Sequence, residues 1–316
     1  MSAALKERPI IWEPLPGPQT EFLAETAREC LLGGSLGGGK TDSVIMSAVS
    51  QTGNKNHRAL ILRKTFPQLR DVVARAHELF LPLGARYNKQ ENVFVFPSGA
   101  RVELGFLDAQ EDMYRYMGRA FTNISFEELT SWNGDSTDNE GAPVSAAYVY
   151  MMSRLRSTDP SLRLEIRASC TPGGVGASWV KNRFGIPDDG ASSEVIDKAT
   201  GYRRRFIRAT IADNPHLANT AYARSLESLP TAQHRALVDG RWTRSRAKSS
   251  PNGIMRVIPV GNLNCRSRGT HGSGQMTGSQ RRQRYCLWRM TKRTVAFSSW
   301  MRSISAGSCP RSWLGR

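Results

Sequence analysis

The last quarter of the sequence lacks acidic residues and has few large apolar ones. Residues 241–316 contain no Asp or Glu, although they carry 16 of the 44 Lys and Arg of the chain. Residues 1–240 therefore hold 28 basic and 27 acidic residues, and nearly all of the formal charge of +17 lies in the tail. Only ten of these 76 residues are Leu, Ile, Val or Phe, which is below the roughly one fifth needed to bury a core. We therefore divide the chain into residues 1–240, a folded domain, and residues 241–316, a poorly structured basic tail.

The composition of the tail is also unlike that of an ordinary disordered segment. It contains four of the seven Trp and three of the five Cys, and its Arg outnumber its Lys by 14 to 2. We interpret residues 241–316 as a segment translated out of its proper reading frame. The alternative is a genuine basic tail that binds DNA.

Other absences restrict the class of protein. No stretch approaches the roughly 18 consecutive apolar residues of a membrane-spanning helix, and residues 1–9 have no apolar signal-peptide region. Five cysteines without a CxxC pair favour reduced thiols over a disulfide framework or a zinc ribbon. We expect a soluble, cytoplasmic protein without a membrane partner.

Residues 1–240 alternate between strand-like and helix-like patterns. Buried-strand patterns cover residues 30–32, 59–62, 123–126 and 164–169, and residues 93–96 and 101–104 resemble a hairpin. Helical patterns cover residues 20–30, 41–51, 68–80 and 221–238. This order predicts an α/β fold with a mostly parallel central sheet flanked by helices.

A glycine-rich segment follows the first predicted strand. It reads Gly34-Ser35-Leu36-Gly37-Gly38-Gly39-Lys40-Thr41 and matches G-x-x-x-x-G-K-[ST] without a mismatch. Glycines let backbone N–H groups converge on a phosphate, and the helix that begins at once directs its N-terminus at the anion. We predict that this segment binds ATP, with Lys40 on the β and γ oxygens and Thr41 on Mg²⁺.

Two adjacent acids end the predicted strand 123–126. Glu127 would hold Mg²⁺, and Glu128 would polarise the attacking water. Asp is more usual at the metal position, so Glu127 is a departure. A catalytic glutamate, and the lack of an N-K-x-D motif, favour an ATPase over a GTPase.

Taken in order, the motifs resemble the large terminase subunit of tailed bacteriophages, the ATPase that drives DNA into procapsids. The resemblance spans residues 14–242. It rests on Pro18-Gln19-x-x-Phe22-Leu23, residues 31–41, Leu62-Arg63-Lys64-Thr65, residues 116–129, Ser169-Cys170-Thr171-Pro172-Gly173-Gly174, residues 179–184, Asp213-Asn214-Pro215, Tyr222 and residues 237–242. It implies a P-loop NTPase of the ASCE, RecA-like type.

The resemblance also implies roles for further residues. Gln19 would read the adenine edge through its amide, and Thr171 would sense the γ-phosphate and couple its loss to DNA movement. Since residues 34–41 contain no Arg, the charge-stabilising arginine would come from elsewhere. Arg119 resembles the position that some relatives use to reach the ATP of a neighbouring subunit, and Arg154 and Arg156 are its rivals.

The resemblance predicts a DNA-packaging motor in the bacterial host cytoplasm. Its partners would be double-stranded DNA, the portal protein, the small terminase subunit and further copies of itself in a ring. Relatives carry a C-terminal RNase H-like nuclease domain that uses carboxylates to bind two metals. Because no acid follows Asp239, we expect a truncated subunit without nuclease activity. The alternatives are an inactive prophage remnant and a superfamily-2-like helicase fragment.

Overall fold

The computed structural model describes residues 10–242, which form one compact unit. The predicted basic tail lies outside the described residues apart from Arg241 and Trp242, so its boundary and nature stay predictions. The strands are β1 (Glu29–Gly34), β2 (Arg58–Arg63), β3 (Arg86–Asn88), β4 (Val93–Val95), β5 (Arg101–Phe106), β6 (Asn123–Phe126), β7 (Ser136–Thr137), β8 (Pro143–Val144), β9 (Glu165–Cys170), β10 (Ser193–Ile196) and β11 (Arg203–Ala209). The helices are α1 (Pro18–Ala24), α2 (Lys40–Ser47), α3 (Phe66–Phe80), α4 (Ala146–Met152), α5 (Ala177–Arg183), α6 (Ala221–Leu226) and α7 (Thr231–Leu237).

Nine strands form one sheet in the order β10-β11-β1-β9-β6-β2-β5-β4-β3. The six strands from β11 to β5 are parallel. At one edge β10 pairs antiparallel with β11, and at the other β4 pairs antiparallel with β5 and β3 antiparallel with β4. The predicted mostly parallel α/β sheet is therefore confirmed. Strand β9 lies between β1 and β6, so the strand of the glycine-rich loop and the strand of the paired acids are not neighbours.

The centre of the sheet is covered on both faces. Strands β1 and β9 are buried at all six positions and β6 at all four, as expected for parallel strands between two helical layers. Alternate residues of β2 enter different cores: Leu60 and Leu62 pack in one hydrophobic cluster, and Ala59 and Ile61 in another. This period of two is the side-chain alternation of a strand.

Helix α3 shows why the helices form on these faces. Thr65 and Gln68 make a capping box at its start, which supplies partners for free backbone groups of the first turn. Its buried residues recur at helical spacing, at Leu69, Val72, Ala76 and Leu79. The helix therefore lies with one apolar face against the sheet.

Several predicted helix boundaries are wrong. The helix predicted over 20–30 ends at Ala24, and Cys30 already lies in β1. The helix ends there because the Glu25 carboxylate accepts hydrogen bonds from the amides of Thr26 and Ala27. The helix predicted over 41–51 ends at Ser47. The pattern over 221–238 is two helices, α6 and α7, with Pro230 between them.

A buried ion cluster ties α5 and α4 to the amino end of β1. Arg183 Nε lies 2.8 Å from Glu29 Oε2, to which the Tyr148 hydroxyl also donates at 2.7 Å, and Arg204 Nε lies 3.3 Å from Oε1. Burial alone raises the pKa of Glu29, but Arg183, Tyr148 and Arg204 together hold it below its usual range. The charge of Glu29 is therefore compensated within the core.

Cys30 and Cys170 are buried free thiols. Burial raises the pKa of Cys30 to about 12.

No helix within residues 10–242 combines the length and the apolarity needed to cross a bilayer.

Candidate nucleotide-binding site

The glycine-rich segment joins β1 directly to α2, which gives the predicted strand, loop and helix. Its backbone needs glycine at three positions, since Gly34, Gly37 and Gly39 have φ values of 136°, 75° and 71°. Residues with a Cβ rarely adopt these conformations. The loop sequence therefore follows from the backbone path that a phosphate cradle requires.

The first part of the loop is fixed against the end of β11. Ser35 N donates to Ala209 O at 3.0 Å, and Ile211 N donates to Ser35 Oγ at 2.6 Å. A Cβ at Gly34 would lie 2.2 Å from Ala209 O, far inside van der Waals contact. Sequence reasoning missed this support because β11 was not predicted.

A later segment holds the loop from a second side. Asn214 Nδ2 donates to Gly37 O at 2.7 Å, and Leu36 N donates to Leu237 O at 2.7 Å. Asn214 and Leu237 lie in two of the runs that resemble the terminase family, and the sequence alone assigns no role to either residue. Their contacts show that residues 209–240 are part of the framework of the loop.

Lys40 is turned back onto the loop. Its Nζ donates to Ser35 O at 2.5 Å, and the residue is only 7% exposed. Burial lowers the pKa of the Lys40 ammonium, although Glu128 and Glu127 favour its charged form. The ammonium thus lies where a phosphate held by the loop would find it.

Glu127 and Thr41, the pair predicted to hold Mg²⁺, are in direct contact. Thr41 Oγ1 donates to Glu127 Oε1 at 2.6 Å, while Arg63 Nε lies 2.7 Å from Glu127 Oε2. Burial raises the pKa of the Glu127 carboxyl, and Arg63 opposes that shift. The sequence alone marks Arg63 only as part of a strand end and assigns no role to it.

Glu128 and Thr171 are also brought together. The Glu128 carboxylate accepts from Thr171 N and from Thr171 Oγ1, both at 3.1 Å, and Glu128 N donates to Ser169 Oγ at 3.1 Å. Glu128 has a φ of 60°, a strained value for a residue with a side chain. Because β9 lies between β1 and β6, Thr171 reaches the residue that was predicted to polarise water.

Gln19, the predicted adenine-reading residue, lies against the loop. Its Nε2 donates to Gly39 O at 3.0 Å, and its Oε1 accepts from Leu15 N at 2.8 Å. Both ends of the amide are thus engaged within the chain. Adenine reading by Gln19 stays a prediction that would require exchange of these two hydrogen bonds.

The three candidate arginines lie at the opposite end of β6 from Glu128. Arg119 Nη1 donates to Glu103 Oε1 at 2.7 Å, Arg154 lies over the Tyr150 ring at 4.9 Å, and Arg156 Nη2 donates to Gly118 O at 2.8 Å. None of the three lines the cleft beside the loop. Within one chain they are therefore not placed to contact the nucleotide, and action on a neighbouring subunit stays a prediction.

The loop borders an open cleft of about 320 Å³, within the usual range of small-molecule sites. Within residues 10–242, no three His, Cys, Asp or Glu side chains are grouped as a metal site. Mg²⁺ in nucleotide sites needs only one or two protein ligands besides phosphates and water, so Thr41 and Glu127 fit it. The cleft is lined by Leu36, Gly37, Gly38, Gly39, Lys40, Thr41, Asp42, Glu128, Asn214 and Leu217.

The fold of this chain is similar to that of several solved structures. No protein-family model matches the chain, and neither does any curated protein sequence. Among solved structures, the large terminase of a thermophilic bacteriophage aligns with a TM-score of 0.55 and 16% identity over 73% of this chain and 54% of that one. A single-residue variant of the Thermus phage P74-26 large terminase ATPase domain aligns with a TM-score of 0.50 and 13% identity over 73% of this chain and 95% of that one. The chain has the fold of a large-terminase ATPase domain.

The low sequence identity and the partial coverage limit what can be concluded from this similarity. The chain spans about half of the length of the large terminase of the thermophilic bacteriophage. The ADP complex of that terminase aligns with a TM-score of 0.52 and 16% identity over 73% of this chain and 54% of that one. That neighbour binds ADP. At such identities the likeness establishes the terminase ATPase fold, and the chemistry of this chain has to be argued from its own residues.

Proposed function

We propose that this chain is a Mg²⁺-dependent ATPase of the large-terminase type. The observation that carries the proposal is that five predicted residues lie together at the carboxyl edge of the sheet. Thr41 contacts Glu127 and Thr171 contacts Glu128, with Lys40 buried beside both acids. Binding sites of open α/β sheets lie at this edge.

The loop would bind the phosphates of ATP. Its backbone N–H groups and the start of α2 favour anions, and the Lys40 ammonium would exchange the Ser35 carbonyl for phosphate oxygens. For Lys40 this exchange replaces a neutral carbonyl acceptor by a charged phosphate oxygen, so that both partners of the hydrogen bond are ionised.

Thr41 and Glu127 would hold Mg²⁺, which neutralises charge that develops on the phosphates when the ion is bound. The contact between the Thr41 hydroxyl and the Glu127 carboxylate supports this assignment. The longer side chain of Glu127, compared with Asp, still reaches Thr41.

Glu128 would orient the attacking water and accept its proton. Its carboxylate has two hydrogen-bond donors, both from Thr171, so its direction is restrained. The strained backbone of Glu128 agrees with a functional constraint at this position. Positioning and proton acceptance together are the main protein contribution to such a hydrolysis.

Thr171 would couple hydrolysis to movement. Because Thr171 follows β9 and binds Glu128, a shift of the Glu128 carboxylate after loss of the γ-phosphate would reach the segment that begins at Pro172. Loss of a phosphate contact is a common trigger of rearrangement in nucleotide switches.

The terminase ATPase fold supports a role in packaging phage DNA. On this proposal the chain acts on double-stranded DNA in the host cytoplasm, as a homo-oligomeric ring with the portal protein and the small terminase subunit. Arg119 would complete the site of a neighbouring copy, with Arg154 and Arg156 as alternatives. Since no acid follows Asp239, residues 241–316 would supply no two-metal nuclease site; metal-dependent nicking of plasmid by the purified chain would contradict this.

The test of the motor function is ATP hydrolysis by the full chain with and without linear double-stranded DNA. The proposal predicts Mg²⁺-dependent hydrolysis that DNA stimulates and that Lys40→Ala abolishes. Hydrolysis that DNA does not change would support an ATPase but contradict the motor. Absence of hydrolysis would favour the inactive prophage remnant.

A further inference from the structure

The side chain of Arg63 reaches the predicted metal carboxylate from the neighbouring strand. Arg63 is the last residue of β2, which pairs with β6 with Leu62 opposite Phe126. Its Nε lies 2.7 Å from Glu127 Oε2, and the side chains are 19% and 1% exposed, respectively. Removing two charged groups from water costs desolvation free energy, so an ion pair buried in the proposed anion-binding site requires a physical explanation.

The two oxygens of the Glu127 carboxylate have separate partners. Oε1 accepts from the Thr41 hydroxyl at 2.6 Å, and Oε2 faces Arg63. Apart from each other, Arg63 Nε and Glu127 Oε2 have no polar partner among residues 10–242. Arg63 therefore pairs with Glu127 Oε2, the carboxylate oxygen that Thr41 does not contact.

The backbone reinforces this arrangement. Glu127 N donates to Leu62 O at 2.9 Å, so residues 62 and 63 hold the main chain and the side chain of the same glutamate. A glutamate has one more rotatable bond than an aspartate and loses more rotamer freedom when fixed. A second anchor for its carboxylate therefore has a physical purpose here.

We infer that Arg63 is a positioning residue that turns Glu127 Oε1 toward Thr41 and the metal side of the site. The inference rests on the proposed Mg²⁺-nucleotide site and adds the group that lets a glutamate act at a position where aspartate is usual. It assigns Arg63 to the metal carboxylate and not to the nucleotide itself.

The test compares nucleotide affinity with and without the metal. A fluorescent N-methylanthraniloyl derivative of AMP-PNP is titrated into the full chain in EDTA and in Mg²⁺, and the ratio of the two Kd values measures the contribution of the metal. Arg63→Gln is expected to reduce this ratio about tenfold, the lower end of what the loss of a group behind a metal ligand costs. The Kd in EDTA should change less than about twofold, because the loop donors are untouched.

The matched control is Arg101→Gln, which removes an exposed ion pair with Glu91 on the nearby strand β5 and should leave the ratio unchanged. Arg63→Lys covers the case in which Arg63→Gln does not fold, since it keeps a cation near Glu127; it should reduce the ratio by about threefold. A ratio equal to that of the wild type, or a larger one, in a folded Arg63 variant would overturn the inference. Equal losses in EDTA and in Mg²⁺ would also overturn it, because a merely structural role predicts them.

The wild-type titration separates this inference from the proposed function. If the wild type binds the probe without any gain from Mg²⁺, or does not bind it, the proposed site fails and the inference fails with it. If the wild type gains from Mg²⁺ and the Arg63 variants gain equally, only the role of Arg63 is refuted.

Discussion

Replacing Thr171 by Val should slow ATP hydrolysis without weakening ATP binding. Valine keeps the branched shape of threonine in this nearly buried position but removes the hydroxyl that donates to Glu128 Oε1 at 3.1 Å. The backbone donor from Thr171 N remains, so Glu128 keeps one of its two donors. A hydrogen bond to a charged group contributes about 1.5–3 kcal/mol. If that restraint acts in the transition state, kcat falls about 10- to 100-fold.

The assay is steady-state ATP hydrolysis by the full chain. KM for ATP should stay within about twofold of the wild type, since the loop and Lys40 are unchanged. Thr137→Val, at an exposed position of the β7–β8 ribbon, controls for loss of a threonine hydroxyl. An unchanged or higher kcat for Thr171→Val would refute the reasoning, because the hydroxyl would then not support the active direction of Glu128.

Three further predictions follow from the fold and the site. Gly34→Ala, where a Cβ would lie 2.2 Å from a backbone oxygen of β11 at a φ of 136°, should lower the Tm and abolish ADP-induced stabilisation; Gly53→Ala, with no atom within 4 Å, should do neither. Arg183→Met leaves the buried carboxylate of β1 without its nearest cation and should reduce the free energy of unfolding in urea by about 3–5 kcal/mol, whereas Arg203→Met, which removes a solvent-exposed cation, should leave it nearly unchanged. Arg119→Ala mixed with wild type should give ATPase rates below the weighted mean; rates equal to that mean would contradict action on a neighbouring subunit.

The central sheet and the loop could be predicted because their signals are local. The apolar run at 59–62 and the loop glycines each determine the conformation of their own segment. Strand β11 escaped prediction because three successive arginines, Arg203 to Arg205, hide its strand pattern. In the structure, all three pair with acids that lie far away in sequence: Arg203 with Glu25, Arg204 with Glu29 and Arg205 with Glu21.

The candidate nucleotide-binding site likewise contains residues that the sequence could predict and residues that it could not. The positions of Glu127 and Glu128 at the edge of the sheet could be predicted because the two residues directly follow a buried strand. Arg63 and Leu237 could not, because their contacts with Glu127 and Leu36 depend on how distant segments meet. No spacing along the chain encodes such contacts, and only the order of the strands in the sheet brings them about.

Single-turnover hydrolysis of ATP by Glu128→Gln tests the central claim most directly. Glutamine keeps the size of the side chain but cannot accept the proton of the attacking water. The account predicts that the variant binds N-methylanthraniloyl-ATP in Mg²⁺ with near wild-type affinity and hydrolyses ATP at least about 100-fold more slowly. Hydrolysis by Glu128→Gln at the wild-type rate would contradict the account.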